Sequence, residues 1–197
     1  MNPIRVLGVD PGFASIGYAV FEVYRDSERV VDAGLIATAK SDAKRKVRAS
    51  EDNLERAKEI FSALDGLAER WGVTAVCAET MSFPRNSAAA AKMAMCWGVL
   101  AAIVQKRGLA LAQASPQEVK KASCGKKDAS KEEVQTSVGS RYPEIQNCVK
   151  GVAPSRREHP YDAAATVVAC LGSEVLLLAR KVAPSCEVST ASSSRAT

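Results

Sequence analysis

Three apolar stretches open this chain with very little between them. Ile4 to Val9, Ser15 to Tyr24 and Arg29 to Ala37 are rich in Val, Ile, Tyr and Phe, and only a Pro11-Gly12 turn and the polar segment Arg25 to Glu28 separate them. The pattern predicts three antiparallel strands in a meander. The first run, Val6-Leu7-Gly8-Val9, stops at Asp10, and the following Pro-Gly pair forces a turn that leaves the Asp10 carboxylate at the strand's tip.

Helical periodicity takes over after a basic loop from Lys40 to Arg48. Leu54, Ala57, Ile60, Phe61, Leu64, Leu67, Ala68 and Trp71 recur at helical spacing, which predicts a helix over Glu51 to Trp71 stopped by Gly72. Val73 to Ala78 reads as a buried strand closed by Glu79, followed by a loop over Met81 to Asn86 and a long helix over Ser87 to Arg107. Ala110 to Ala114 is a fifth strand, and Ser115-Pro116 is a helix start signal. A short helix over Gln117 to Ala122 and another over Ser130 to Tyr142 follow, with Pro143 to Arg157 the least regular part of the body. His159-Pro160 opens a last helix running through Leu178. A mixed five-stranded α/β sheet with helices on both faces results, the ribonuclease H-like arrangement. Residues 1–184 are expected to form one domain and residues 185–197, rich in Ser, Thr and Ala, a flexible tail.

The 197 residues suffice for one full-sized core, and 47% of them are apolar. The formal net charge is +5, but the segment Pro116 to Arg157 holds nine Lys or Arg against five acids. That concentration suits either a polyanionic partner or a solvated helical surface. The cysteines at 77, 96, 124, 148, 170 and 186 include no Cys-x-x-Cys pair, so neither a zinc knuckle nor a disulfide framework is expected. With no secretory signal pattern and no apolar run near the roughly 18 residues of a membrane span, an intracellular, reducing location without membrane insertion is expected.

Asp10, Glu79, His159 and Asp162 carry the candidate chemistry. Hydrolysis of a phosphodiester needs water activated at neutral pH and charge neutralised on the attacking and leaving oxygens. Paired divalent cations on oxygen ligands do both. Asp10 and Glu79 close predicted strands, and His159 and Asp162 are three residues apart at a helix start, hence on one face. Taken singly, Asp10 is also a plausible turn residue and Asp162 a first-turn acid favoured by the helix dipole. Glu79 is harder to dismiss, because a carboxylate closing so apolar a strand is costly unless it is exposed in a cleft, paired or bound to metal. His159 is the chain's single histidine, and no nucleophile motif accompanies it.

These residues resemble the RuvC family of Holliday junction resolvases from about Ile4 to Leu178. The likeness is carried by Gly8-Val9-Asp10-Pro11-Gly12 with Gly17, by Ala78-Glu79, and by Asn86 with Lys92. It continues through Pro116-Gln117-Glu118-Val119-Lys120-Lys121, Ala129-Ser130-Lys131-Glu132-Glu133-Val134-Gln135 and His159-Pro160-Tyr161-Asp162-Ala163-Ala164. The resemblance implies a homodimeric, Mg²⁺-dependent endonuclease, Mn²⁺ substituting, that makes paired symmetric nicks in four-way DNA junctions. It implies two ions per site on Asp10, Glu79, His159 and Asp162. Lys120 and Lys131 match lysines near the scissile phosphate, and Phe83, Arg85, Asn86, Lys92, Lys121, Lys126 and Lys127 are further DNA-contact candidates. The helix Ser87 to Arg107, rich in Ala with Met93, Met95 and Trp97, resembles the dimer-forming helix, although a core helix has the same pattern. A branch-migration complex is a further partner that the resemblance raises.

Three features depart from the family pattern. Ser82 stands where an aromatic is usual, with Phe83 next to it; Lys127 replaces a glycine; and the segment Pro143 to Arg157 is longer than usual. Other readings are a ribonuclease H-like nuclease acting on another branched or hybrid substrate, a catalytically silent junction-binding module, and an ATP-using kinase or actin-like domain. The last needs two such domains, for which this chain is too short, and a silent binder of phosphates has no use for clustered carboxylates.

Overall fold

A computed structural model describes residues 2–41, 47–81 and 85–186. Among the described residues the strands are β1 (Ile4–Asp10), β2 (Ser15–Val23), β3 (Glu28–Ala37), β4 (Ala75–Glu79) and β5 (Ala110–Ala114), in the sheet order β3-β2-β1-β4-β5. The β1–β2 and β2–β3 pairs are antiparallel, whereas β4 and β5 add in parallel on the other side of β1. The meander, the mixed sheet and the α/β fold class follow the expectations from sequence.

Alternation along the central strands assigns their side chains to two layers. Leu7, Val9, Val76 and Ala78 face Ile60, Leu64 and Ala68 of α1 (Ala49–Trp71) and Cys96, Leu100 and Ile103 of α2 (Ser87–Arg107). Val6, Ala75 and Cys77 face the opposite layer, built from α3 (Pro116–Cys124), α4 (Lys131–Arg141), α5 (Ile145–Cys148), α6 (Glu158–Cys170) and α7 (Glu174–Val182). Asp10 and Glu79 continue the second series. Both carboxylates therefore belong to the α3–α6 side of the sheet, at the carboxyl ends of neighbouring parallel strands.

Local signals behave as the sequence predicts at most boundaries. Gly72 and Gly108 take left-handed φ values of 58° and 62° and stop α1 and α2. Ser115 with Glu118, and Ser130 with Glu133, form capping boxes at the starts of α3 and α4. The single last helix expected through Leu178 is not observed. It breaks after Cys170, and the helical stretch Pro154–Cys170 meets α7 at 79°. Gly172 offers no side chain to either helix, and the Ser173 hydroxyl accepts from the Leu176 N–H to start α7 afresh. The turn lets Arg180 donate to the Tyr24 carbonyl at 3.0 Å and to Glu28, lashing the C-terminal helix to the β2–β3 corner. Pro143 to Arg157, expected to be irregular, holds α5 and two 3₁₀ turns, Val149–Gly151 and Pro154–Arg156.

Ser185 and Cys186 are the described residues of the expected tail, and the Cys186 N–H donates to Asp26 Oδ1 at 3.0 Å. All six cysteines are free thiols. One helix among the described residues, α2, is long and apolar enough to cross a membrane by length and composition alone. It packs Cys96, Leu100 and Ile103 against the sheet and presents Ala91, Ala94, Gly98, Ala101 and Ala102 outward.

Candidate active site

Asp10 ends β1 opposite Gly17 of β2, and the start of α6 lies directly over that glycine. A Cβ on Gly17 would come within 2.0 Å of the His159 carbonyl oxygen, and one on Gly8 within 2.3 Å of that of Ala163. Two missing side chains on one face of the sheet thus let α6 sit against the backbone. That close approach brings His159 Nδ1 to 2.7 Å from Asp10 Oδ2, with both side chains about a quarter exposed. With the carboxylate accepting, Nδ1 carries the proton and Nε2 is left free.

The turn after Asp10 is held from the other layer. Arg56 is buried, stacks over the Phe13 ring at 4.5 Å, and donates to the Phe13 carbonyl at 3.1 Å and to Thr38 Oγ1 at 2.9 Å. The Thr38 hydroxyl donates to the same Phe13 carbonyl at 2.7 Å. These contacts are long-range, and nothing in the sequence singles Arg56 out.

A cleft of about 300 Å³ is lined by Asp10, Glu79, His159 and Asp162 together with Lys120, Lys131, Pro116, Val119 and Val134. The four candidate metal-binding residues and two of the candidate DNA contacts therefore share one hollow. Lys131 Nζ lies 3.0 Å from Glu158 Oε2 and 3.9 Å from Asp162 Oδ2. Glu158 was overlooked in the sequence, although it directly precedes His159. Of the other DNA-contact candidates, Arg85 is exposed, Lys92 half-buried and Lys121 and Lys127 exposed. Lys126 pairs with Glu133 at 2.6 Å, and the Asn86 side chain caps α2 by accepting from the Ala89 N–H at 3.1 Å. Phe83 and Ser82 lie outside the described residues, as do residues 42–46 of the basic loop.

Burial and like charge dominate the electrostatics of the cleft. Burial, reinforced by the Asp10 charge, raises Glu79 above the usual carboxylate range despite Lys131 and Lys120 nearby. The same two causes push Asp162 up to about 7. The hydrogen bond with Asp10 raises His159, outweighing burial. Crowded acids that resist ionisation are what a site designed around cationic charge looks like when its own residues are considered alone. Among the described residues no three His, Cys, Asp or Glu side chains converge tightly enough to hold one ion as they stand. The donor chemistry, three carboxylates and one imidazole in a cleft backed by two lysines, nevertheless fits hard divalent cations.

Comparison with known proteins decides the family. The model of the family described as "Crossover junction endodeoxyribonuclease RuvC" matches residues 6–150. The chain belongs to the RuvC family. It is similar to the RuvC crossover junction endodeoxyribonuclease of Prochlorococcus marinus (strain MIT 9312), 30% identical over 135 residues that cover 68% of this chain and 80% of that protein. The Moorella thermoacetica (strain ATCC 39073 / JCM 9320) RuvC is 32% identical over 133 residues, covering 68% and 74%. Two solved structures share the fold. Thermus thermophilus RuvC in complex with a Holliday junction substrate superimposes with a TM-score of 0.68 at 23% identity, covering 90% of this chain and 96% of that one. The yeast mitochondrial Holliday junction resolvase Ydc2 gives 0.62 at 14% identity, with 91% and 83% covered. The RuvC family match contains Asp10, Glu79, Lys120 and Lys131, while His159 and Asp162 lie beyond it and enter the site through α6.

Proposed function

We propose that this RuvC-family chain is a divalent-cation-dependent endonuclease that resolves four-way DNA junctions by paired symmetric nicks. The observation that carries the reading is the single cleft in which two strand-end carboxylates, the His159–Asp162 pair of α6 and Lys120 and Lys131 meet. Junction recognition rests on family membership and on relatives named as crossover junction endodeoxyribonucleases.

Asp10, Glu79, His159 and Asp162 would hold Mg²⁺, two ions per site, with Mn²⁺ as a substitute. Bound there, the cations supply activated water and neutralise charge on the transferring phosphate. The protein's own groups do the rest. Asp10 orients the His159 ring through Nδ1, which leaves Nε2 either to hold a cation or, where it holds none, to accept a proton from the attacking water. Lys120 and Lys131 offset negative charge on the scissile phosphate and position it, Lys131 exchanging its carboxylate partners for a phosphate oxygen. Water adds to phosphorus as the P–O3′ bond breaks, leaving a 5′-phosphate and a 3′-hydroxyl, ends that a ligase can rejoin.

A two-fold dimer matches a two-fold junction and sets two sites on strands of like polarity. The outward row of small residues on α2 supports that helix as the dimer contact, because Ala and Gly permit close helix approach. Arg85, Asn86, Lys92, Lys121, Lys126 and Lys127 extend the DNA surface around the cleft. The same reading treats residues 1–184 as the nuclease domain within an intracellular, DNA-containing compartment, with a branch-migration complex as a further partner.

The test compares synthetic four-way junctions with linear duplex, flap and RNA:DNA hybrid in Mg²⁺. Native protein is expected to nick the junction symmetrically, and Asp10→Asn to bind it in a gel shift without nicking. Preference for the hybrid would move the activity to a ribonuclease role, and retained nicking by Asp10→Asn would remove that residue from the site.

A further inference from the structure

Asp10 and Glu79 stand between two hollows. One is the cleft with Lys120, Lys131, His159 and Asp162; the other, about 110 Å³, is bounded by Pro11, Thr80, Met93 and Trp97. Trp97 and Met93 come from α2, so they approach the two strand ends from an element that carries none of the cleft's other acids or lysines. The indole N–H of Trp97 is closed to solvent and has no hydrogen-bond partner, one of two such buried side-chain atoms among the described residues. The chain's other indole is satisfied, since Trp71 Nε1 donates to Asp32 Oδ2 at 3.0 Å.

An orphaned buried donor costs about 1–3 kcal/mol. Its retention beside a reactive cleft asks for a partner that is present only in another state of the site. Two carboxylates border the small hollow. Asp10 already accepts from His159, whereas Glu79 accepts no side-chain hydrogen bond among the described residues. Glu79 therefore has free acceptor capacity and Trp97 a free donor, and both residues border a hollow holding at most a few waters.

We propose that Trp97 is a positioning residue whose indole N–H donates to one oxygen of Glu79 when a divalent cation engages the other. The inference rests on the preceding reading of Glu79 as a cation ligand. Carboxylates that bind cations are commonly oriented by such outer hydrogen bonds, and loss of one lowers affinity about 10–100-fold. In this fold the outer donor comes from α2, so the same helix proposed to join two subunits also sets the orientation of a ligand in each site.

Indole ¹H–¹⁵N spectra of the full chain during a Mg²⁺ titration test this directly. The protein has two tryptophans, so Trp97→Phe assigns both signals and Trp71 serves as an internal control. On saturation the Trp97 indole proton is expected to move downfield and to exchange more slowly with water, while Trp71 stays in place. Trp97→Phe, which keeps an aromatic ring and removes the donor, is expected to bind Mg²⁺ about 10-fold more weakly by calorimetry. If that variant does not fold, the native spectrum decides alone. Mg²⁺ binding with an unmoved Trp97 signal, or with unchanged affinity in a folded Trp97→Phe protein, overturns this inference and leaves the cation reading intact. Absence of any Mg²⁺ binding to the native chain overturns both.

Discussion

His159 reaches Asp10, 149 residues earlier in the chain, because Gly17 has no side chain to hold α6 away. The 2.7 Å contact between the two side chains depends on a backbone approach that a single methyl would block. Gly17→Ala is accordingly expected to shift the start of α6, to lower junction nicking by two or more orders of magnitude, and to destabilise the fold by about 1–3 kcal/mol. Gly66→Ala is the control. Nothing lies within 4 Å of a Cβ at that helical position, so it should be neutral or stabilise by about 0.5–1 kcal/mol. Thermal unfolding and nicking rates together check the pair; equal behaviour of the two variants would dissociate Gly17 from the site.

Asp162 makes the metal-free protein sensitive to pH. Its carboxyl is raised from 3.8 to about 7, by burial first and the Asp10 charge second. The folded state thus binds a proton that the unfolded state has already released between those values. The contribution to stability is full below about pH 4 and disappears as pH rises through about 7. Asp162→Asn should therefore be more stable than the native chain at pH 8 without metal, by on the order of 2 kcal/mol after solvent screening, and nearly equal to it below pH 4. Mg²⁺ binding should release protons in the same window, read as heats that vary with the buffer's ionisation enthalpy. Buffer-independent heats would contradict this account.

Lys120 and Lys131 differ in what they must give up to meet DNA. Lys131 is already engaged by Glu158 and lies near Asp162, whereas no carboxylate lies within 4.0 Å of the Lys120 ammonium among the described ion pairs. Lys120→Ala is expected to weaken junction binding and reduce the slope of log K against log salt by about one. Lys131→Ala should change binding less, because much of that lysine's charge is already offset by Glu158 and Asp162, while still lowering nicking. A salt titration of Lys120→Ala with an unchanged slope would mean that this lysine never meets a phosphate.

Glu28 anchors the far corner of the sheet. Its carboxylate is nearly buried and accepts from Tyr142 at 2.8 Å, pairs with Arg141 at 2.6 Å and also takes a bond from Arg180 of α7. Burial alone would raise its pKa, but the bonds from Tyr142 and Arg141 and the charge of Arg180 outweigh it and lower the value. Stability from this group is present above the ordinary value of 4.5 and is lost as pH falls through the depressed one. Glu28→Ala should cost about 2–4 kcal/mol in urea unfolding at pH 7, with the deficit shrinking in acid. Nicking by the folded variant should be near normal, since Glu28 is not among the residues lining the cleft.

Much of the architecture was legible because it depends on neighbours in the chain. Pro11-Gly12 after an apolar run, Gly72 and Gly108 after helical periodicity, and Ser115-Pro116 before a helix each act within a few residues. Alternation then puts Asp10 and Glu79 on one side of adjacent strands, and the three-residue spacing of His159 and Asp162 at a helix start offered them as companions, a set that resemblance to the RuvC family also implied. The break between α6 and α7 escaped because apolar residues continue through it, and the reason for the turn, Arg180 reaching Tyr24 and Glu28, lies some 150 residues away in sequence.

The identity of the cleft's residues was therefore available from local chemistry and motif spacing. Their relationships were not. That His159 bonds to Asp10, that Arg56 steadies the turn after it, that Glu158 occupies Lys131, and that Trp97, whose indole N–H is unpaired, borders a second hollow beside Glu79 all depend on how helices settle against the sheet. Local propensity specifies which segments become strands and helices. Side-chain packing across the two layers, including the methyl groups missing at Gly8 and Gly17, specifies which distant atoms meet.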